Sequence, residues 1–220
     1  MVFIIVPAYN EAKKIGRVIA GLFEHGFKNV VVVDDGSSDE TAVQAAKAGA
    51  IVLKHAVNRG QGAALQTGDE FAIKKGAQAV VHFDADGQFN PADILPALQM
   101  MREGNVDVVL GSRFLDARSR IPWTKKYILL PISRLINHFL TGLYLTDVHN
   151  GFRILSRQAL EKINISQDRM AHNSDIVKQI KEKGLVYIEH PVEVVYHEYG
   201  QGLSGGVQIL QDIAKAKIFK

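Results

Sequence analysis

The sequence predicts an α/β protein with one mostly parallel sheet and helices on both of its faces. Two observations support this fold class. Over the first half of the chain, five short apolar runs alternate with helical segments, and polar motifs follow four of these runs at their carboxyl ends. Such alternation is typical of parallel strands joined by crossover helices. The 220 residues suffice for one domain and are too few for two with a linker.

The first five strands are predicted from continuous apolar runs, as expected where helices cover both faces of a sheet. They are Phe3–Val6, Val30–Val33, Ala50–Leu53, Ala79–Phe83 and Asp107–Leu110. The first helix carries an apolar stripe and ends at Gly26, and Asn10 is its expected cap. Ser38 or Asp39 is expected to cap the second helix. The third spans about 62–75, and Asn90-Pro91 begins a fourth.

Beyond residue 114 the pattern is looser. In chain order, the sequence predicts a basic loop, an amphipathic helix (about 132–143), a strand (near 152–155), a helix (around 175–183), two extended stretches (186–188 and 192–196), a glycine-rich loop (200–206) and a last helix carrying Lys215, Lys217 and Lys220. The apolar face of the helix at 132–143 could rest on a membrane surface or pack on the protein's own core.

Composition and charge exclude several classes of protein. The absence of cysteine excludes disulfides, thiolate metal sites and a cysteine nucleophile, and it fits a cytoplasmic location. A net charge of +3 is too weak to indicate nucleic-acid binding. We expect no membrane-spanning segment, because no run of 18 apolar residues occurs. The segment from Arg113 to His138 contains six basic residues and one acidic residue, Asp116. This local excess of positive charge indicates either an anionic partner, namely phosphate or an anionic membrane surface, or a solvated loop.

The motif Asp84-Ala85-Asp86-Gly87-Gln88 directly follows the fourth strand, so both carboxylates are expected at the sheet edge. Two carboxylates with a nearby amide oxygen suit Mg²⁺ or Mn²⁺, whose usual task is to neutralise a diphosphate leaving group. The alternative is a turn without metal.

Two further strand ends carry polar motifs. Asp34 and Asp35 follow the second strand, where buried charge is costly without a partner, so an acceptor for nucleobase N–H groups is expected there. After the first strand, Tyr9 could stack on a base. The glycines around Gly62 could mark a binding loop or only a turn. The missing Gly-x-Gly-x-x-Gly and P-loop motifs disfavour hydride transfer and an NTPase.

Together, these motifs resemble the inverting family 2 glycosyltransferases of GT-A fold, and among them the polyprenyl-phosphate sugar transferases, which include dolichol-phosphate mannosyltransferases. The resemblance runs through VPAYNEA, VVDDGSSDET, NRGQGAALQTG, DADGQ, GSRF and TDVHNGFRILSR. It implies a nucleotide-sugar-binding half at 1–113 and an acceptor-binding half at 114–220.

The resemblance also implies roles for individual residues. The donor site would comprise Pro7, Tyr9, Glu11, Asp35, Gly62 and Asp84; Asp84, Asp86 and Gln88 would hold the metal; Arg113 and Arg134 would face the acceptor phosphate. The chain departs from the family at His149-Asn150, where a serine usually precedes Gly-Phe-Arg. It also has His197 where an arginine usually contacts the diphosphate.

The acceptor and the reaction class remain open at this point. A lipid phosphate needs positive groups, whereas a saccharide hydroxyl needs a carboxylate base, for which Asp147 and Asp175 are candidates. Asp175 could equally stabilise the start of its helix. Two other classes are rivals. A nucleotidyltransferase shares the sheet type, although the missing N-terminal glycine-rich phosphate loop counts against it, and a sugar-nucleotide-binding module would have no use for a metal at the diphosphate. His149, His172 and His190 are expected to be structural.

Overall fold

The computed structural model describes residues 1–116, 118–119, 142–147, 150–166 and 172–195. Several predictions lie outside these residues: the basic residues from Arg120 to His138, which include Arg134; the helix at 132–143 except for its last two residues; His149; and His197 with the C-terminal loop and helix.

Seven strands are present in the described part of the chain: β1 (Val2–Ala8), β2 (Val30–Asp34), β3 (Ile51–Lys54), β4 (Ala79–His82), β5 (Val108–Ser112), β6 (Arg153–Ser156) and β7 (Tyr187–Pro191). The helices there are α1 (Ile15–Glu24), α2 (Thr41–Lys47), α3 (Gln61–Lys74), α4 (Ile94–Glu103), α5 (Arg157–Lys162) and α6 (His172–Glu182), with a 3₁₀ turn at Pro91–Asp93 before α4. The five strands predicted from the first half are therefore confirmed to within two residues at each end.

The strands form one sheet in the order β3-β2-β1-β4-β6-β5-β7. Neighbours β3, β2, β1 and β4 are parallel, as are β5 and β7, whereas β6 is antiparallel to both β4 and β5. The sheet is thus mostly parallel, as predicted. The insertion of β6 between β4 and β5 was not predicted, because nothing in an apolar run specifies which strand it pairs with.

Helices cover both faces of this sheet, which confirms the predicted layers. Alternate residues of β1 point to opposite faces, so Ile4 lies in an apolar cluster with residues of α1 and α4, whereas Ile5 lies in a second cluster with residues of α3, α5 and α6. The α3 helix packs tightly on β1 at Gly68, where an added Cβ atom would lie 2.3 Å from Cγ2 of Ile5. Burying each such isoleucine stabilises the fold by about 1.5–3 kcal/mol.

Asn90 forms its predicted helix cap, whereas Asn10 does not. Asn90 accepts a hydrogen bond from the N–H of Ala92 and caps the turn before α4, as predicted. The prediction that Asn10 caps α1 was wrong. Asn10 adopts a positive φ of 55°, and its side chain accepts from the N–H of Ser38, which ties the loop after β1 to the loop after β2.

The cap of α2 also differs from the prediction. Glu40 occupies the N-cap and makes no side-chain cap hydrogen bond. Asp39, one residue earlier, accepts the N–H of Thr41, whereas the side chain of Ser38 donates towards Asn10. Of the two predicted caps, Ser38 therefore joins the loop after β1 to the loop after β2 and does not cap α2.

The direction of β6 decides what gathers at the carboxyl edge of the sheet. Because β6 runs antiparallel to β4, its first residue, Arg153, pairs with His82 at the end of β4. Asn150 and Gly151 therefore arrive at the edge from which Asp84 and Arg113 emerge. Among the helices described, none is long and apolar enough to cross a membrane.

Candidate active site

A cleft opens at the carboxyl edge of the sheet and brings two predicted motifs together. Its lining includes Asp84 and Gln88 from the loop after β4, Arg113 from the end of β5, and Asn150 and Gly151 before β6, together with Phe89 and Val194. Asp86 lies in the same loop, where its Oδ1 accepts the N–H of Gln88 at 2.9 Å. The metal motif and one predicted acceptor residue therefore share one cavity.

Asp84 is held in place by residues from two separate segments. Its Oδ1 accepts a hydrogen bond from Nε2 of Gln61, the first residue of α3, at 2.9 Å. Its Oδ2 lies so close to Gly151 that a Cβ atom there would be 2.4 Å away. The carboxylate is thus fixed between the start of α3 and the backbone that leads into β6.

The charge on Asp84 is unfavourable in this position. Burial raises the pKa of Asp84 to about 6, and the negative charge of Asp86 adds to the rise, whereas Arg153, His82 and the hydrogen bond from Gln61 oppose it. Two carboxylates that disfavour each other's charge are an arrangement that a bound cation relieves.

Arg153 supplies a buried positive charge behind the cleft. Only 1% of the residue is exposed, and its Nη2 donates to the carbonyl of Asn150 at 3.1 Å and to the side chain of Asn173. Burial lowers its pKa to about 10, opposed by the charges of Asp84 and Asp147, so the guanidinium stays protonated at neutral pH. Its Nη1 has no hydrogen-bond partner among the described residues.

Arg113 is oriented by a buried carboxylate. Its Nε donates to Oδ2 of Asp147 at 2.6 Å and its Nη2 donates to Oδ1 at 2.7 Å, which is a bidentate ion pair. Asp147 is 4% exposed and also accepts the backbone N–H of Arg113 and a hydrogen bond from Asn150. The plane of the guanidinium is therefore set by the segment that precedes β6.

The carboxylate of Asp35 is fully engaged with a neighbouring loop. It accepts hydrogen bonds from the N–H groups of Arg59 at 2.9 Å and Gly60 at 2.7 Å, and it contacts Nδ1 of His55 at 2.7 Å. The second ring nitrogen of His55 meets the hydroxyl of Thr67 in α3. Asp35 therefore fixes the loop that leads into α3. Its predicted role as a nucleobase acceptor stays a prediction.

The remaining donor-site candidates lie around the ends of β1 and the start of α3. Pro7 is buried in β1 and Gly62 is buried in α3, whereas Tyr9 is 49% exposed after β1, as a residue that stacks on a base would have to be. Glu11 pairs with Lys14 at 3.3 Å, and its backbone N–H donates to Thr41. Their roles in binding a nucleoside stay predictions.

The comparison with known families assigns the chain to a class of enzyme. The model of the family described as glycosyl transferase family 2 matches residues 3–164, which is most of the chain. The chain belongs to glycosyl transferase family 2. It is therefore a glycosyltransferase, and its sheet is that of the GT-A fold.

Two curated relatives of this glycosyltransferase match over nearly all of its length. A UDP-N-acetylglucosamine–dolichyl-phosphate N-acetylglucosaminyltransferase from Methanococcus voltae is 33% identical over 230 residues, covering 95% of this chain and 91% of that protein. A polyprenol monophosphomannose synthase from Mycolicibacterium smegmatis is 28% identical over 225 residues, covering 96% of this chain and 84% of that protein.

A solved structure supports the fold. Glucosyl-3-phosphoglycerate synthase from Mycobacterium tuberculosis, in a complex with Mn²⁺, uridine diphosphate and glucosyl-3-phosphoglycerate, superimposes with a TM-score of 0.72. The match covers 94% of this chain and 75% of that one at 17% identity, so it speaks for the fold alone.

Of the predicted catalytic residues that the structure describes, only Arg113 lines the cleft; Asp86 lies in the loop that lines it, and Asp175 does not line it. Asp175 lies in the first turn of α6, where it accepts hydrogen bonds from Gln179 at 3.1 Å and from Ser166 at 3.3 Å. These contacts agree with a role for Asp175 in stabilising the start of its helix. His172 and His190, which we expected to be structural, are both buried.

Reasoning from the sequence gave no site role to several residues: Phe89, Asn150, Gly151 and Val194 in the lining, Gln61 and Arg153 near Asp84, and His55 beside Asp35. A signal for Arg153 was present, since a charge within the apolar run Phe152–Leu155 is as costly as the one noted at Asp34 and implies a partner. His55, Gln61 and Gly151 have no comparable signal, because their contacts join segments that lie far apart in the sequence.

The residues of the cleft fit a divalent cation. Within the described ranges, no group of three or more histidine, aspartate or glutamate side chains forms a complete metal site. Mg²⁺ and Mn²⁺ commonly take one or two carboxylates and complete their shell with substrate phosphates and water. Asp84 and Asp86, whose charges disfavour each other, together with the amide of Gln88 match that donor set.

Proposed function

We propose that this glycosyltransferase moves a hexose from GDP-mannose or a UDP-sugar to a polyprenyl or dolichyl phosphate, with inversion at the anomeric carbon and with Mg²⁺ or Mn²⁺ as cofactor. The observation that carries the proposal is the cleft itself, where Asp84 and Gln88 share a cavity with the fixed guanidinium of Arg113. Such a cavity suits two phosphate-bearing substrates, one held through a cation and the second held by arginine.

The names of the relatives support the lipid acceptor. The Methanococcus voltae enzyme is named for transfer to dolichyl phosphate and the Mycolicibacterium smegmatis enzyme for making a polyprenol monophosphomannose. An undecaprenyl-phosphate mannosyltransferase from Micrococcus luteus, 28% identical over 94% of this chain, points the same way.

The proposed reaction forms a bond between an acceptor phosphate oxygen and the anomeric carbon, and it breaks the bond from that carbon to the diphosphate. A metal held by Asp84, Asp86 and Gln88 would stabilise the charge on the leaving nucleoside diphosphate. Arg113 would orient the attacking phosphate, which is already anionic at neutral pH and needs no general base. Attack opposite to the leaving group inverts the configuration.

The two candidate bases for a saccharide acceptor are poorly suited to that role. Asp147 is bound by Arg113 through both of its oxygens, and Asp175, which does not line the cleft, is engaged with Ser166 and Gln179. A base must come within hydrogen-bond reach of the hydroxyl that it deprotonates. Among the described residues, this favours the phosphate acceptor.

The test compares Arg113→Ala and Asp175→Asn with the wild type, using a short polyprenyl phosphate and free saccharides as acceptors. Arg113→Ala should reduce kcat/KM for the polyprenyl phosphate by roughly 10²-fold, the usual scale for losing a charge-stabilising group. Asp175→Asn should cost less than about tenfold, below the range for loss of a general base.

A matched control separates this effect from a loss of stability. Arg118 also pairs with a buried carboxylate, Asp93, at 2.6 Å, but it does not line the cleft. Arg118→Ala should therefore lower the melting temperature as Arg113→Ala does, with much less effect on the KM for acceptor. Saccharides as the better acceptors, with a collapse of roughly 10³-fold in Asp175→Asn, would establish a hydroxyl acceptor and a general base instead.

A further inference from the structure

Glu189 in β7 holds a segment that has no strand or helix of its own. Its Oε1 accepts the N–H of Thr146 at 2.8 Å and the hydroxyl of Thr146 at 2.8 Å, and the N–H of Asp147 approaches it at 3.3 Å. Its Oε2 accepts the N–H of Thr146 at 3.1 Å. One carboxylate therefore receives the backbone donors of two consecutive residues.

The segment at 142–147 needs such an anchor. It forms no regular secondary structure, so no ladder of backbone hydrogen bonds fixes it relative to the sheet. Glu189, in contrast, belongs to a parallel strand and lies in register with Leu110 of β5. A charged acceptor on a rigid strand makes strong hydrogen bonds, and these bonds hold the segment at a fixed place relative to the sheet.

The anchored residues are the ones that orient Arg113. Asp147 binds the Arg113 guanidinium through two hydrogen bonds and also accepts its backbone N–H. The hydroxyl of Thr146 lies 2.6 Å from that of Ser112, the residue before Arg113. Glu189 thus acts on Arg113 along two routes, through the carboxylate of Asp147 and through the hydroxyl of Thr146.

We propose that Glu189 is a positioning residue for the acceptor: it fixes Thr146 and Asp147, and through them the direction in which Arg113 presents its guanidinium to the acceptor's phosphate. The inference rests on the proposed function of Arg113. Glu189 itself does not line the cleft. Loss of its carboxylate should therefore weaken the use of the acceptor while leaving the donor side, at Asp84 and Gln88, unchanged.

The same two strands provide a matched control. Asp107 lies just before β5, and its Oδ2 accepts the N–H of Val186, just before β7, at 3.0 Å. Its carboxylate links the residues that precede β5 and β7, at the opposite end of these strands from the cleft. A carboxylate that only stabilises this pair of strands would behave like Asp107.

The experiment measures KM for a short polyprenyl phosphate and for the sugar nucleotide, together with the melting temperature, in Glu189→Ala, Glu189→Gln and Asp107→Ala. Glu189→Ala should raise the acceptor KM on the order of 10-fold to 100-fold, the scale of a small misplacement of a binding group, with the donor KM within about twofold. Glu189→Gln keeps one acceptor oxygen and should recover part of the loss. Asp107→Ala should lower only the melting temperature.

A double-mutant cycle with Arg113→Ala distinguishes the inference from the proposed function. If Glu189 acts through Arg113, the double variant should have nearly the acceptor KM of Arg113→Ala alone. The inference alone would be overturned if Arg113→Ala and Glu189→Ala each raised the acceptor KM and their effects were additive in the double variant. It would also be overturned if Glu189→Ala changed the donor KM and the acceptor KM equally. An acceptor KM unaffected by Arg113→Ala would overturn the proposed role of Arg113. Should Glu189→Ala fail to fold, Glu189→Gln and Thr146→Val carry the same comparison.

Discussion

Replacing Gly151 by alanine should displace the carboxylate of Asp84 without straining the backbone. A Cβ atom at this position would lie 2.4 Å from Oδ2 of Asp84 and 3.0 Å from Cγ and Oδ1, whereas ordinary contacts begin at 3.4 Å. The carboxylate must therefore retreat by about 1 Å, or the chain before β6 must shift by a similar distance. Gly151 does not have a positive φ, so alanine is otherwise compatible with its conformation.

Asp84 cannot make this retreat without losing a contact. Its Oδ1 accepts a hydrogen bond from Gln61 at 2.9 Å, and movement away from Gly151 stretches or breaks that bond. A misplacement of about 1 Å in a site that binds and orients reacting groups can lower the rate on the order of 10²-fold.

The assay is kcat/KM for the sugar nucleotide as a function of Mn²⁺ concentration, with the melting temperature measured in parallel. Gly151→Ala should lose roughly 10²-fold in kcat/KM and should need more Mn²⁺ for half-maximal rate. Gly16→Ala is the control, since Gly16 has no positive φ and nothing lies within 4 Å of its added Cβ. Wild-type kcat/KM and an unchanged Mn²⁺ requirement in Gly151→Ala would refute the packing argument.

Three further predictions concern the metal, the pH dependence and the membrane. Asp86→Ala should lose roughly 10²-fold or more in turnover while remaining folded, and full wild-type activity in excess chelator would contradict metal dependence. Folding raises the pKa of Asp84 from 3.8 to about 6, so the folded state binds the proton of this carboxyl group more tightly than the unfolded state does. The stability that this group contributes is therefore highest at low pH and falls as the pH rises through about 6. Denaturant titrations without metal at pH 4 and pH 7 should show this loss in the wild type relative to Asp84→Asn, and equal differences at both pH values would contradict it. The protein should co-sediment with anionic liposomes and dissociate from them in salt. The double variant Lys125→Glu, Lys126→Glu, at positions outside the described residues, should bind the liposomes more weakly. Binding that does not depend on lipid charge would favour an acceptor that is not membrane-bound.

The sequence by itself determined the layers of the fold and the chemistry of the metal motif. Continuous apolar runs such as Val30–Val33 specify buried strands because both of their faces must be covered. The cap at Asn90 and the emergence of Asp84 and Asp86 directly after a strand are also local features, readable from a few neighbouring residues. Family membership was recognisable for the same reason, since each motif is a short run of neighbouring residues.

The tertiary structure alone decided how these local pieces meet. The placement of β6 between β4 and β5 brings Gly151 against Asp84 and buries Arg153 behind the cleft, and the pairing of strands far apart in the sequence leaves no periodic signal. Asp147 and Asp175 have the same side chain, and the sequence offered both as candidate bases. Only their surroundings distinguish them, because Asp147 lies against Arg113 at the cleft whereas Asp175 lies against Gln179 in its own helix. A carboxylate's role depends on the charges and donors within a few ångströms of it, and folding determines which residues those are.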